Sequence, residues 1–361
     1  SSSLLQLRLP LRLLADFRYN TKTKDVIWNK ALPVINGAFS PDGGPKANYT
    51  TNLNMCETSN KGFELALNTR NIITKNFTWS SSVTFNHNKE KITKLSGGDS
   101  DVLNNGDTGY ALALGEAINS YYHYKLDGVW QKGEETDAAV FGAAPGDLKI
   151  NIPNLVKESD GRFYKIDEET GSAAVDENGN VIYYTSDNKY TPSDADYQIL
   201  GHNSPDWSLG FQNNFTWKDF DLSVFVYARY GQMFAYDMLT SYDPKGIRNF
   251  PTYFNYWTEN NPSNDFPAAN ANKGLEQYTG YYALRYVDGS FIKIKNITLG
   301  YSLPKSILKS AGIEKCRFYA TITNPFVFAK SHLLKDYDPE MNGSLKYPLT
   351  KQFVFGVNVT F

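Results

Sequence analysis

The side chains that most often carry catalysis are few and scattered in this sequence. The four histidines, His87, His123, His202 and His332, share no metal-ligand spacing such as an i, i+4 pair. No GxSxG or GxxxxGKS/T motif occurs, and the paired acids Asp194 and Asp196 lie in a polar stretch. We therefore predict no catalytic residue, no metal site and no cofactor, and we do not expect an enzyme.

Binding chemistry is concentrated in one segment, Gly231 to Tyr282, where many aromatic residues alternate with Asn, Asp and Gly. Aromatic planes next to amides and carboxylates suit the faces and hydroxyls of sugars, and they also suit peptides. Tyr253, Asn255, Tyr256 and Trp257 are the predicted ligand contacts. The alternative is that these aromatics pack the loop into a rigid cap or dock on a partner protein, since Tyr and Trp are also enriched at interfaces.

The elements that carry this segment are predicted to be β-strands. Aromatic residues make up 15% of the chain and charged residues 20%, with a net charge of -2. Aromatic, turn-rich compositions are typical of all-β proteins. Because lysines and arginines do not cluster with aromatics, nucleic acid is not an expected partner. A transmembrane helix is excluded, because no run of about 18 apolar residues exists.

Apolar and polar residues alternate with period two in paired segments, which predicts hairpins. The strongest pair is Trp207–Trp217 followed, after Lys218 and Asp219, by Phe220–Tyr230. The other predicted strands are Leu13–Trp28, Gly62–Arg70, Phe77–Lys89, Phe291–Leu303, Cys316–Asn324 and Lys351–Phe361. In Phe291–Leu303 the apolar phase shifts, which indicates a β-bulge near Lys295 and Asn296.

Short and long connections alternate along the chain, which is typical of outer-membrane β-barrels with short periplasmic turns and long external loops. The predicted external loops lie near 29–60, 91–205, 231–282 and 325–350. An even number of further strands has to fit in 91–205, with Tyr121–Trp130 as one candidate, so we expect eight or ten strands. Cys56 and Cys316 fall on opposite membrane faces in this scheme, which argues against a disulfide.

Two groups of side chains follow from these strand directions. Trp79, Trp207, Trp217, Tyr230 and Tyr301 lie near strand ends and are expected in the aromatic girdles at the membrane interfaces. Asp221, Arg229, Arg317 and Tyr319 are expected to face the wet interior of a barrel.

The chain resembles the SusC/RagA family of TonB-dependent transporters in eight blocks that occur in the family's order. These blocks are TKTKDVIW (21–28), SNKGFELALNTRN (59–71), INSYYHYKLDGVWQ (118–131), PGDLKI (145–150), ILGHNSPDWSLGFQNNFTWKDFDLSVFVYARYG (199–231), RYVDGSFIKIKNITLGYSLP (285–304), DYDPE (336–340) and FVFGVNVTF (353–361).

One segment departs from the family pattern. Residues 151–189 form a longer insertion between the PGDLKI and ILGH blocks. Asp176, Asn178, Gly179 and Asn180 in it lack the glycine and glutamate positions of an EF-hand, so a solvated hairpin tip is favoured over a calcium site.

The resemblance implies that residues 1–361 are the C-terminal part of a larger barrel of about 22 strands around a plug. The chain begins with Ser1 and has no initiator Met or signal peptide, so we expect it to start inside that protein. The resemblance also implies an outer-membrane location in a Gram-negative, Bacteroidetes-like bacterium and contact with lipid.

The activity implied is import of oligosaccharides, or peptides as the second choice. TonB would supply energy through the N-terminal part, and a SusD-like lipoprotein would cover the external mouth. Phe353, Phe355, Val357, Val359 and Phe361 would form the C-terminal signal for barrel assembly. The alternatives are a non-transporting outer-membrane barrel or adhesin and a soluble glycan-binding β-protein.

Overall fold

The structure is a computed structural model that describes residues 11–31, 50–95, 102–104, 110–241, 245, 251–309 and 312–361. Tyr242 and Phe250, two aromatics of the predicted binding loop, lie outside the described residues. No helix in the described ranges is long and apolar enough to cross a membrane.

The elements follow one another along the chain as β1 Leu11–Ala31, β2 Thr50–Ile73, β3 Phe77–Leu95, β4 Val102–Asn104, β5 Tyr110–Ala113, β6 Ser120–His123, β7 Lys125–Val129, α1 Glu135–Val140, β8 Leu148–Asn151, β9 Leu155–Lys157, β10 Phe163–Lys165, β11 Tyr183–Tyr184, β12 Gln198–His202, β13 Trp207–Trp217, β14 Phe220–Tyr230, β15 Met233–Ala235, β16 Tyr286–Asp288, β17 Phe291–Ser302, α2 Lys305–Leu308, β18 Lys315–Ala329 and β19 Gln352–Thr360.

Eight long strands form one antiparallel sheet, called the wall below, in the order β1-β2-β3-β13-β14-β17-β18-β19. The order in the sheet follows the order in the chain, so each wall strand pairs with the wall strands that come before and after it in the sequence. Residues 74–76, Lys218–Asp219 and 303–314 make the short connections, and the long connections lie at the other end of the wall. The alternation of short and long connections is confirmed, and the fold is all-β with an unclosed sheet.

The hairpin β13–β14 shows why the sequence specifies this sheet so clearly. Its register is unbroken from Trp207 opposite Tyr230 to Trp217 opposite Phe220. Lys218 closes the two-residue turn with a positive φ of 50°, the backbone twist that tight hairpins require. Because both strands alternate in phase, their apolar side chains share one face.

Of the eight or ten wall strands expected, the structure shows eight, and the further pair considered within 91–205 is not part of the wall. β13 pairs directly with β3, from Trp207 opposite His87 to Trp217 opposite Phe77. The candidate strand Tyr121–Trp130 is instead divided between β6 and β7, which belong to two separate small sheets. Its apolar residues pack in the loops, so their alternation does not indicate a wall strand.

The predicted limits of the first long loop, 29–60, were too wide. β2 begins at Thr50 and β3 continues to Leu95, so both strands extend well past their predicted ends. These extensions lack a simple apolar alternation, because Cys56 and Ile92 pack on Leu112 of β5 rather than facing outward. Cys56 and Cys316 are buried free thiols.

The predicted bulge in β17 is confirmed. The register of β17 shifts between Ile294 and Asn296 against β18, and it shifts at the same place against β14. Lys295 is the extra residue against β14, and its side chain bonds Glu340.

The two faces of the wall differ in polarity. The outward face carries exposed apolar side chains, such as Phe328 at 60% and Phe353 at 68% exposure. The inward face carries hydrogen-bonded polar pairs, including Thr298 with Thr321 at 2.9 Å. The main hydrophobic core therefore does not lie on the wall but in the long loops at one end of it.

Candidate functional site

The long loops share one hydrophobic core, called the loop core below. Its buried members are Val129, Leu148, Phe234, Tyr236, Leu239, Phe254, Trp257, Phe266, Tyr278, Tyr281, Leu284, Val287 and Leu334. They come from the connections before β13, between β14 and β17, and after β18. Because one core joins all three connections, the loops form a packed body over the end of the wall.

Trp257, a predicted ligand contact, lies inside the loop core and is only 8% exposed. Its indole Nε1 donates a hydrogen bond to Oε1 of Gln131 at 3.0 Å. The ring also lies where a Cβ at Gly146 would be, and Gly146 has a φ of +95° that disfavours other residues. The structure thus gives Trp257 a packing role between two loops.

The other predicted contacts are divided between the core and the surface. Tyr253 packs on the loop core, with its ring 5.1 Å from that of Phe254, which stacks on Phe266. Tyr256 is 41% exposed, and Asn255 is also exposed. Only Asn255 and Tyr256 of the predicted set offer accessible side chains, and ligand contact by the set stays a prediction.

A cavity of about 390 Å³ opens beside this segment. Its walls come from β7, β12, β15, the segment 264–265, residues 283–286 and the last loop. The lining residues are Tyr124, Lys125, Leu126, Gly128, Ile199, Leu200, Met233, Asn264, Asp265, Ala283, Leu284, Tyr286 and Leu333. Aliphatic side chains dominate, with a few polar groups, as is typical of small-molecule and side-chain sites.

Asp265 connects the cavity to the predicted contacts. Its carboxylate accepts a hydrogen bond from the Asn255 amide at 3.5 Å and lies 2.9 Å from Nε2 of His332. The neighbouring Asn264 is held from the other side, because its Oδ1 accepts from the Val129 N–H at 3.1 Å and from Gln131 at 3.0 Å. The acidic group is therefore fixed at the cavity wall.

An aromatic cluster with a histidine flanks the cavity. The His123 ring stacks on Tyr197 at 4.8 Å and lies 5.7 Å from the ring of Tyr286. Burial, together with the nearby Arg285, lowers the pKa of His123 to about 4, so the imidazole is neutral at pH 7. Its Nδ1 accepts the backbone N–H of Tyr124 at 2.8 Å. The described residues contain no group of His, Cys, Asp and Glu that could hold a metal.

The last long loop is anchored to the inward face of the wall by buried charges. The ammonium of Lys293, which is fully buried, lies 2.5 Å from Asp338 and 2.9 Å from Glu340. Lys295 reaches Glu340 at 2.6 Å. Burial raises the pKa of Glu340, but the hydrogen bonds from Lys295 and Lys293 outweigh it, so the pKa lies below its usual value. The DYDPE block thus has a structural role that its sequence did not indicate.

The insertion 151–189 is fastened in a similar way. Its strand β10 carries Lys165, whose ammonium lies 2.6 Å from the buried Asp196, and Tyr190 donates to the same carboxylate at 2.6 Å. At its tip, Asp176 accepts the N–H groups of Asn178 and Asn180. These contacts form a hairpin-like turn in an exposed segment.

The residues expected to face the barrel interior lie on the inward, polar face of the wall. Arg317 bonds Asp221 through two nitrogens, at 2.8 and 2.5 Å. Tyr319 lies over Gly356 of the next strand, and Arg229 donates to the Tyr227 hydroxyl at 2.8 Å. At the edge of the wall, β19 pairs with β18 along one side and carries Phe355 at 81% exposure, and Phe361, just after the end of β19, is 86% exposed.

Comparisons with known proteins agree with this architecture. No protein-family model matches the sequence. The chain is 28% identical to TonB-dependent receptor P3 of Formosa agariphila over 97% of its own length and 32% of that protein. It is 26% identical to TonB-dependent receptor SusC of Bacteroides thetaiotaomicron over 95% of its own length and 29% of that protein. The chain is related to the SusC-type TonB-dependent receptors. It spans about a third of the length of these relatives.

A solved structure extends the agreement to the fold. The structure of the RagAB peptide transporter matches with a TM-score of 0.66 and 23% identity, over 96% of this chain and 33% of that one. The eight-stranded wall is thus the fold of part of a TonB-dependent barrel, as the sequence predicted. The relatives are named as receptors and a transporter rather than as enzymes, in line with the prediction that this chain is not an enzyme.

The sequence analysis did not predict the cavity in the long loops of this chain. Leu126, Ile199, Leu284 and Leu333 lie far apart in the chain, and no spacing connects them. Two of them, Leu126 and Ile199, fall in blocks that carry the family resemblance. The available signal was that residues 118–131 and the start of the 199–231 block lie outside the wall strands and still resemble the family.

Proposed function

We propose that this chain forms wall and external loops of an outer-membrane, TonB-dependent importer, and that its loop cavity binds part of a peptide. The observation that carries the proposal is the cavity in the long loops, which is lined mostly by aliphatic side chains together with the carboxylate of Asp265. Sugar sites depend on exposed aromatic planes, whereas an apolar amino-acid side chain needs an aliphatic pocket.

The wall supports the membrane location. Its strands β13, β14, β17, β18 and β19 all carry exposed outward apolar residues. These side chains would be unfavourable in water, whereas lipid satisfies them. Its inward face is polar, as expected for a passage that water and solutes enter.

The relatives support the mode of transport. The proteins with similar sequences are named TonB-dependent receptors, and the structural neighbour is named a peptide importer. We propose that TonB acts through a plug outside this chain and that a SusD-like lipoprotein closes over the loops. The exposed Tyr256 and Tyr282 supply aromatic surface for such a lid.

Oligosaccharide import is the second candidate, and the exposed pair Asn255 and Tyr256 favours it. An amide beside an accessible phenol ring can bond hydroxyls and stack on a sugar face. The two candidates place the ligand differently, in the cavity for a peptide and on the surface of 255–256 for a sugar.

The test uses the full-length protein in its native outer membrane. Leu200→Asp puts a charge into the cavity, and we expect it to lower peptide uptake about tenfold or more, because an unpaired buried charge is costly. Val175→Asp, at a side chain 54% exposed on the insertion, is the matched control.

Heat-modifiable gel migration checks that both variants form barrels. Peptide uptake unchanged in Leu200→Asp would reject the cavity as the peptide site. Growth on oligosaccharide that is lost in Tyr256→Ala but kept in Leu200→Asp would establish the second candidate instead.

A further inference from the structure

The outward face of β1, β2 and β3 carries a set of lysines beyond the apolar part of the wall. Lys61 of β2 lies directly opposite Lys89 of β3. One pair further along, Lys22 of β1 and Lys91 of β3 lie on either side of Ser59. All four lysines are exposed, and they are called the lysine block below.

The lysine block has no counter-charge of its own. In the described part of the chain, none of these lysines forms an ion pair or a side-chain hydrogen bond. Among the outward positions of β2 toward the long loops, the acidic residue nearest to Lys61 is Glu57. Its carboxylate already lies 3.7 Å from the ammonium of Lys94. Like charges directly opposite on an antiparallel pair are destabilising. Lys61 and Lys89 therefore favour an anion between them.

The level of the lysine block relative to the membrane follows from the register. Phe63, His87, Trp207 and Tyr230 lie side by side across four strands on the same outward face and form the aromatic row. Trp207 stacks on Tyr230 at 5.5 Å. Such rows mark the membrane interface of barrels.

Lys61 and Lys89 are the next outward positions beyond this row, on the side of the long loops. Two residues of a strand advance about 7 Å. The ammonium groups therefore lie at the level of lipid headgroups.

We propose that the lysine block binds the phosphate groups of a phosphorylated outer-leaflet lipid. The inference rests on the proposed outer-membrane location. A tetrahedral phosphate between Lys61 and Lys89 would accept a hydrogen bond from each ammonium, and Lys22 and Lys91 would add charge on the loop side. The acyl chains of the same lipid would lie along the apolar face below the aromatic row.

The experiment compares lipid retention by the full-length protein extracted from its membrane. The test variant replaces Lys22, Lys61, Lys89 and Lys91 with Gln. The control variant replaces Lys132, Lys305, Lys309 and Lys335 with Gln, which removes the same charge from exposed lysines elsewhere. Native mass spectrometry counts bound lipid A, offered either with its phosphate or enzymatically dephosphorylated.

We expect the unaltered protein and the control to retain phosphorylated lipid A. We expect the test variant to retain about tenfold less, since each lysine near an anionic lipid surface strengthens binding several-fold. Equal retention by the two variants, or equal retention of the dephosphorylated lipid, would overturn the proposal. Full displacement by millimolar inorganic phosphate would overturn it as well, in favour of a free-anion site.

The failure of this inference is distinct from failure of the proposed function. If the test variant still fractionates with the outer membrane and imports peptide, the importer stands whichever way the lipid result falls. If the unaltered protein does not fractionate with the outer membrane, the proposed function itself fails, and the lipid site with it.

Discussion

Phe355 in the wall is 81% exposed, whereas Phe266 in the loop core is 2% exposed. The two residues have the same side chain and opposite surroundings. The wall is held together by backbone ladders and has its apolar side chains directed away from the protein. The loops have short strands and bury their aromatic residues against one another. This difference agrees with the proposed membrane location, in which lipid surrounds the wall and water surrounds the loops.

The difference between wall and loops also indicates which region could determine ligand specificity in the proposed importer. The wall repeats the same alternation of apolar and polar residues from strand to strand, so it offers few sites that differ in shape or chemistry. The loop core brings residues from distant segments together, and it forms a cavity whose shape depends on all of them. Four experiments test this contrast between the wall and the loops, and they are given in order of decreasing expected effect.

The largest effect is expected for Phe266→Ala in the loop core. The substitution removes a buried ring that stacks on Phe254 at 4.2 Å, and we expect the free energy of unfolding of the loops to fall by about 3 to 5 kcal/mol. Hydrogen exchange of the full-length protein in detergent measures this opening. Amides of β13 and β14 serve as the internal control, because their exchange should not change. Equal loosening of loops and wall would show that they are one cooperative unit.

Phe355→Arg tests the solvent of the wall. At an exposed site in water this change is nearly neutral, but at the lipid face of a barrel it costs about 2 to 4 kcal/mol near the bilayer midplane. We expect that loss in reversible unfolding from lipid vesicles, and Phe355→Leu should cost much less. A neutral result for arginine would contradict the assignment of lipid to the outward face.

Acidification should loosen the loops without affecting the ladders of the wall. The pKa of His123 is lowered from 6.5 to about 4 in the folded state, so the unfolded state binds more protons between these values. The stability is therefore full above about pH 6.5 and falls as the pH drops toward 4, by about 2 kcal/mol at pH 5. Hydrogen exchange of β6 and β12 at pH 7 and pH 5 checks this. His123→Phe should remove much of the difference, and an unchanged pH dependence in that variant would exclude His123 as its source.

The smallest effect is expected for Tyr256→Ala. Since its ring is 41% exposed, we expect no measurable change in the stability of the loops. Loss of one aromatic contact would weaken ligand binding about three- to tenfold. Trp257→Ala is the informative partner variant, because it should unfold the loop locally before any binding can be measured. Unchanged affinity in Tyr256→Ala for both peptides and oligosaccharides would remove Tyr256 from the ligand site.

The sequence predicted the wall well and the loops poorly, for a physical reason. Each wall hairpin has one apolar and one polar face, so its apolar residues recur at every second position in the sequence. The bulge at Lys295 is visible because the apolar positions shift there from even to odd residue numbers. The segment Tyr121–Trp130 also contains apolar residues, but they meet neighbours from several directions. No period along the chain encodes that arrangement, so the sequence could not show that this candidate strand lies outside the wall.

The candidate site shows the same limit on a smaller scale. Composition identified the aromatic loop, yet it did not distinguish the buried Trp257 from the exposed Tyr256 one position earlier. That distinction depends on Gln131 and Gly146, which come from another loop. The ion pairs of Lys293 with Asp338 and Glu340 could not be predicted from the sequence either, because a charged side chain in a strand is more often solvated than buried.

The direct pairing of β3 with β13 has a consequence for how such proteins diversify. Residues 96–206 connect β3 to β13, and these two strands are neighbours in the sheet. Segments such as 151–189 can therefore be gained, lost or exchanged during evolution while the strand count and the register stay constant. In the proposed importer, ligand preference could then change by recombination of loops while the strands of the wall stay the same.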